Sequence, residues 1–259
     1  LLKSALVSRL ANRPISGFSF FSARERLASL FYNKRFNVPT GYAVKRVRVL
    51  LSLSLGYALD DKANNSNNYG LSTISEGLDT EHANKTSKTL LFLHGTTWAS
   101  KHWPEKHWID LARRATEAGH AVWLPWWSDE ERVRCERIAA AGEGVLLLER
   151  RDLAAMAQHI RAVDAVVAVD TGLGHMAATF SVPCLSIYGA TDPNRTGTWG
   201  ANQKHMRARY RCSPCLAREC KLLGDSISEP PCYESCSAGD VWRVLSEMLG
   251  PTPLPDSGT

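Results

Sequence analysis

Residues 89–250 predict an α/β fold built on a parallel sheet, and three observations carry that prediction. Short apolar runs alternate with helix-length segments from Thr89 onward. The runs, such as AVVAV at Ala165–Val169, are apolar without interruption, as burial on both faces of a strand requires. The loops that follow several of these runs, near His94, Pro125, Asp170 and Gly189, fall at the strand ends where such sheets bind ligands.

Taken in order, a strand over Leu90–His94 leads through a loop to a helix over Pro104–Ala118. A strand at Ala121–Pro125 precedes a helix at Asp129–Ala141, and a strand at Val145–Leu148 precedes a helix at Leu153–Ala162. The strand Ala165–Asp170 is followed by a helix at Gly174–Phe180 and a strand at Cys184–Tyr188. The last helix is Ala238–Leu249. Ligands of such sheets bind at the carboxyl ends of the strands, so the loops starting near His94, Pro125, Asp170 and Gly189 are the informative ones.

The first 59 residues read differently. Leu2–Leu10 has helical spacing closed by Pro14, Ser22–Glu25 (SARE) reads as a capping box opening a helix through Leu27, Leu30 and Phe31, and Val44–Leu59 reads as a third helix. Phe18–Phe21 is the one strand signal, so this stretch is expected to be the remainder of a domain. The chain opens in mid-pattern on LLKSALVSRL, and a segment upstream of Leu1 is expected. Residues 60–88, rich in Asn, Ser and Thr, lack the apolar surface that offsets ordering entropy and read as an interdomain linker. The expected organisation is therefore 1–59, a linker 60–88, a ligand-binding domain 89–250 and a tail 251–259.

The bulk properties fit this outline: 44% hydrophobic and 22% charged residues are ordinary for a globular chain. A formal charge of +5 suits anionic partners without choosing between phosphate sugars, anionic lipid and nucleic acid. No apolar run approaches the roughly 20 residues that span a bilayer. The seven cysteines, with no charged-then-apolar secretion signal at residues 1–10, are expected to be reduced thiols of a cytoplasm.

Two loops carry most of the chemistry. In VDTGLGHMAA (Val169–Ala178) an apolar strand ends on Asp170 and a helix opens within a Thr-Gly-Leu-Gly turn. Free N–H groups and the helix dipole there attract phosphate, Gly172 and Gly174 allow a tight turn, Asp170 can accept from sugar hydroxyls and His175 can donate to phosphate. The bland alternative is a capped turn in which Asp170 serves only the backbone. In HGTTWASKHWPEKHW (His94–Trp108), Thr96, Thr97 and Ser100 offer hydroxyls and Lys101 a compact cation near a helix start at Pro104. Trp103 and Trp108 read as core.

Weaker signals follow. In LPWWSDEER (Leu124–Arg132), Pro125 and Trp126 could pack an adenine face and one of Asp129, Glu130 and Glu131 could bind ribose, the other acids simply favouring the helix dipole. YGATDP (Tyr188–Pro193) either lines a sugar pocket or only turns the chain. Cys212, Cys215, Cys220, Cys232 and Cys236 begin with a C-x2-C pair but continue at irregular spacing, so free thiols or a labile disulfide are the preferred reading and no metal or cofactor is assigned.

Taken together, HGTTWASKHWPEKHW, the acidic turn after LPW and VDTGLGHMAA followed by YGATDP resemble the ADP-heptose:lipopolysaccharide heptosyltransferases, heptosyltransferase I above all. LLKSALVSRLA and SARERLASLFY resemble the later part of that family's N-terminal domain. The resemblance implies a GT-B fold: a Rossmann-like C-terminal domain plus part of an N-terminal one. It implies metal-independent, inverting transfer of heptose from ADP-heptose to the Kdo residue of nascent lipopolysaccharide, by a cytoplasmic enzyme peripheral to the anionic face of the bacterial inner membrane. By resemblance Thr96, Thr97 and Lys101 hold the diphosphate, Lys101 neutralises the leaving ADP, and Glu130, or Glu131 across a short gap, binds ribose. Asp170 binds heptose hydroxyls, Thr171, Gly172 and His175 complete the site, and Lys3 and Arg24 face the anionic acceptor.

Two departures stand out. No residue matches the family's catalytic base, a carboxylate near the start of the N-terminal domain, so this stretch alone is expected to turn over poorly. The linker is long, and the cysteine-rich segment is closer to heptosyltransferase II. The competing readings are heptosyltransferase II, a GT-B sugar-nucleotide epimerase acting on a UDP-sugar, and a metal-clipped nucleic-acid module built on the cysteines and His205–Arg211, whose basic residues are too scattered for a clear stripe.

Overall fold

The computed structural model describes residues 2–59, 87–223 and 229–250. The chain divides into two compact units, Leu1–Ser66 with Asn194–Thr196, and Asn67–Pro193 with Gly197–Thr259. Most of the expected linker, residues 60–86, and the tail 251–259 lie outside the described residues.

The first unit contains α1 (Leu2–Arg9), the short strands β1 (Ser16–Phe18) and β2 (Lys34–Phe36), and α2 (Ala43–Leu55). β1 and β2 pair in parallel, with Gly17 opposite Arg35. The strand expected over Phe18–Phe21 stops at Phe18, because the chain turns there and Ala23 N–H donates to Ser19 O. The SARE capping box does not form. Ser22 Oγ accepts instead from Val38 N–H at 2.9 Å and Glu25 from Leu2 N–H at 2.5 Å, leaving only a 3-10 helix over Arg26–Phe31. Tertiary partners have claimed both capping side chains. The helix expected to run to Leu59 ends at Leu55, where Gly56 takes the left-handed conformation at φ 75° and closes it.

In the second unit the strands are β3 (Thr89–Leu93), β4 (Ala121–Leu124), β5 (Val145–Leu147), β6 (Ala165–Val169), β7 (Cys184–Tyr188) and β8 (Gln203–Arg207). They form one parallel sheet in the order β5-β4-β3-β6-β7-β8. Between them run α3 (Glu105–Glu117), α4 (Asp129–Ala139), α5 (Leu153–Ala162) and α6 (Gly172–Thr179); the short α7 (Pro193–Thr196) follows β7, with Asn194–Thr196 assigned to the first unit, and α8 (Ala238–Leu249) closes the second. Side chains alternate across β3, so that Leu90 and Phe92 join Trp108, Leu111, Ile138 and Leu245 in one core while Leu91 and Leu93 join Met156, Ile160 and Ala177 in the other. The sheet is thus covered on both faces.

The chain leaves β3 toward β4 and β5, then returns to β6 beside β3 and continues outward to β7 and β8. The reversal lies between β3 and β6, the place where sheets of this kind open a crevice at their carboxyl edge. β8 was not legible as a strand. Its QKHMR pattern pairs only with β7 at the sheet edge, so it lacks the two-sided apolar run of its neighbours.

Candidate functional site

At the reversal point the loops after β3 and β6 meet. Gly95, Thr96, Thr97, Lys101, Asp170, Thr171, Gly172 and His175 line one cleft of about 510 Å³, together with Trp127, Glu131 and Leu153. Asp170 follows the last residue of β6 and is 7% exposed. Lys101 closes a 3-10 turn over Ala99–Lys101 and places Nζ 2.8 Å from Asp170 Oδ2. Thr191, in the loop after β7, donates to the same oxygen at 2.6 Å. Thr96 Oγ1 donates to the Asp170 carbonyl at 3.3 Å, tying the two loops together.

Lys101 also lies over the face of Trp98, with Nζ 4.5 Å from the ring centroid. Its ammonium is therefore held between a carboxylate and an aromatic face rather than left on a mobile stem. Beside it, α6 begins at Gly172 with Thr171 at the N-cap position, whose side chain makes no capping bond, so the amino end of the helix with its dipole faces the cleft. Neither Gly172 nor Gly174 takes a left-handed φ. Gly172 has open space where a Cβ would be, so its contribution is an unobstructed amide face rather than the tight turn expected from the sequence.

Of the two acids expected at the ribose, Glu130 is not among the residues lining the cleft. It is exposed and hydrogen-bonds toward Ser128, whose hydroxyl caps α4. Glu131, one residue on and rotated by a helical step, turns into the cleft, where its carboxylate accepts from Trp127 N–H at 2.8 Å. Glu131 Oε1 would lie 2.4 Å from a Cβ at position 95, so a larger residue there would displace the Glu131 carboxylate. The aromatic wall is Trp127, whereas Trp126 packs on the core with Arg132 over its ring. Lys3 and Arg24 belong to the first unit.

Trp103 and Trp108 are core, as expected, 2% and 0% exposed and edge-to-face at 4.9 Å. His94 is buried beneath the site, its Nε2 3.1 Å from the Pro125 carbonyl. Burial, reinforced by the Arg134 guanidinium, lowers its pKa to about 4 and keeps the ring neutral. Arg134 donates to His102 Nδ1 at 2.9 Å, and burial followed by that same guanidinium holds His102 below the usual histidine range.

The cysteine-rich segment packs against the loops after β3 and β7. Ser100 N–H donates to Arg218 O at 3.0 Å, Tyr233 OH to Ser100 O at 3.3 Å, and Trp103 Nε1–H to Cys236 O at 2.9 Å. On the other side Ser213 Oγ donates to Gly189 O at 2.7 Å and Leu216 N–H to Ala190 O at 2.8 Å. Thr191 was missed by residue-level reasoning except as a member of YGATDP. Its one signal was the position three residues past the end of β7.

Comparison with known proteins identifies the family. The model of glycosyltransferase family 9 (heptosyltransferase) matches residues 1–224. Lipopolysaccharide heptosyltransferase 1 of Pseudomonas aeruginosa is 41% identical over 96% of this chain and 71% of its own length. The protein of the same name from Escherichia coli K12 is 38% identical over 80% of this chain and 64% of its own length, so this chain spans less than two thirds of that relative. The solved structure of the E. coli heptosyltransferase WaaC with ADP superposes with a TM-score of 0.74 at 33% identity, covering 96% of this chain and 70% of that one. The fold is accordingly that of the GT-B glycosyltransferases. The chain belongs to glycosyltransferase family 9, the heptosyltransferases.

Proposed function

We propose that the chain binds ADP-heptose in the cleft between β3 and β6 and serves inverting transfer of the heptose to a Kdo residue of the lipopolysaccharide inner core. The observation that carries this reading is the Lys101–Asp170 pair set against the N-terminus of α6, with Thr96 and Thr97 beside it. A diphosphate needs a cation and N–H donors, and a sugar needs a carboxylate acceptor; here the two stand 2.8 Å apart. Solved WaaC structures hold ADP and ADP-2-deoxy-2-fluoro heptose, which supports the donor assignment.

In the reaction the acceptor hydroxyl attacks the anomeric carbon as the bond to the β-phosphate oxygen breaks, and negative charge gathers on the departing ADP. Lys101 and the first-turn amides of α6 offset that charge as it develops, which is where binding contributes to rate. Thr96 and Thr97 hold the diphosphate, Glu131 takes the ribose hydroxyls in place of Glu130, and Asp170 accepts from the heptose, with Thr171, Gly172 and His175 around it. The proton lost by the acceptor goes to a general base. Lys3 and Arg24 engage the anionic acceptor, and the enzyme works at the cytoplasmic face of the bacterial inner membrane. No helix among the described residues is long and apolar enough to cross a membrane.

Calorimetric titration with ADP and UDP tests the donor class. ADP is expected to bind at least about tenfold more tightly, a difference of 1.4 kcal/mol. Equal affinity would remove ADP-heptose as the donor and favour an epimerase of UDP-sugars.

A further inference from the structure

Cys212, Cys215, Cys220 and Cys232 come from separate points of the segment behind the site, yet all four line one small cavity of about 20 Å³, together with Ser100 and Ala190. All four are free thiols. Cys232 is buried, Cys220 half-buried, and Cys212 and Cys215 exposed. A space of that size holds a single water or ion. Irregular segments longer than about 12–15 residues are uncommon in compact domains unless functional or clipped in place. The chain from Ala208 to Pro230 has no helix or strand among its described residues, yet it hydrogen-bonds to the loop after β3 at Ser100 and to the loop after β7 at Gly189 and Ala190.

We propose that these four cysteines form a structural site for a tetrahedral, thiophilic divalent metal of the zinc class. Spacing alone argued against this, because Cys220 and Cys232 do not make a second C-x2-C pair; the fold is what brings them to the cavity of Cys212 and Cys215. Four sulfurs select zinc over the hard cations, and a C-x2-C pair matches the chelating spacing of structural zinc sites. Among the described residues no three His, Cys, Asp or Glu side chains stand in a ligating arrangement, so the shell is open in this conformation. The metal closes it by drawing the exposed Cys212–Cys215 loop onto Cys220 and Cys232. Each thiol that ligates gives its proton to solvent, and no oxidant or reductant takes part. Closure would fasten the segment against Ser100, one residue before Lys101, and against Ala190, one residue before Thr191.

The test is the zinc content of the whole chain, purified reduced and without a metal-binding tag, and its cobalt(II)-substituted spectrum. One tightly held zinc per chain is expected, with sulfur-to-cobalt charge-transfer bands and tetrahedral ligand-field bands. The double variant Cys212→Ser/Cys215→Ser, altered only at exposed positions so that the fold survives, is expected to lose both. Cys236→Ser, a nearby thiol outside the cavity, is expected to keep both. Absence of stoichiometric zinc after reconstitution, or zinc retained in the double variant, would overturn the proposal. Nucleotide affinity plays no part in this readout, so its failure leaves the proposed donor site standing.

Discussion

The Thr191 hydroxyl donates at 2.6 Å to the same Asp170 oxygen that Lys101 approaches at 2.8 Å. One carboxylate thus joins three loops, those after β3, β6 and β7. Buried hydrogen bonds to charged groups contribute about 1.5–3 kcal/mol, so the group is rigid before any ligand arrives. Thr191→Val is expected to weaken ADP binding about three- to tenfold by loosening Asp170, and by less than Lys101→Ala does. Calorimetry on both variants checks the order. A Thr191→Val effect equal to or larger than that of Lys101→Ala would place Thr191 on the ligand itself.

Glu131 and Glu130 are expected to separate cleanly. Glu131→Gln should reduce ADP affinity about tenfold, as loss of a charge-assisted contact to ribose, while Glu130→Gln should leave it within about twofold. Fluorescence titration of ADP against each variant distinguishes them. The reverse order would show that the cleft as described has the wrong acid in it.

Tyr233 packs against Gly189 so closely that a Cβ there would meet its ring at 2.5 Å, and Tyr233 is fully buried. Gly189→Ala is therefore expected to destabilise the second unit by about 1–3 kcal/mol, several degrees in Tm. Differential scanning calorimetry measures it, and an unchanged Tm would contradict the packing described here.

His94 gives a pH dependence with a definite sign. Its folded pKa of about 4 lies below the unfolded 6.5, so the unfolded chain binds the extra proton between those values. Stability is fully present above pH 6.5 and falls as the pH drops toward 4, by up to about 3 kcal/mol from this residue. His102, His107, His120 and His205, also lowered chiefly by burial, add in the same direction. Urea unfolding between pH 7 and pH 4.5 should fall less steeply for His94→Gln than for the parent chain. Parallel slopes would mean that His94 titrates normally.

How much of this was legible in the residues follows from what each signal depends on. The strands β3, β4, β6 and β7 announce themselves because two-sided burial demands unbroken apolar runs, and Asp170 stands out because it ends such a run before a helix. β8 escaped because an edge strand is under no such demand. The capping box at Ser22 and Glu25 failed because the partners that captured those side chains, Val38 and Leu2, are remote in sequence. Glu131 could not be separated from Glu130 because the choice turns on a single residue of helical phase, which Ser128 sets when it caps α4. The approach of Thr191 to Asp170 depends on β7 lying beside β6, a relationship carried by strand order, and the convergence of the cysteines on how the irregular chain after β8 folds back.

The most direct measurement of the central claim is calorimetric titration of ADP into the parent chain and into Lys101→Ala. The account predicts a loss of about ten- to a hundredfold in affinity, the share of a charge-assisted contact to the diphosphate, with the fold unchanged by circular dichroism. An affinity unchanged within about twofold would mean that the ammonium beside Asp170 never meets the diphosphate, and the cleft between β3 and β6 would lose its assignment.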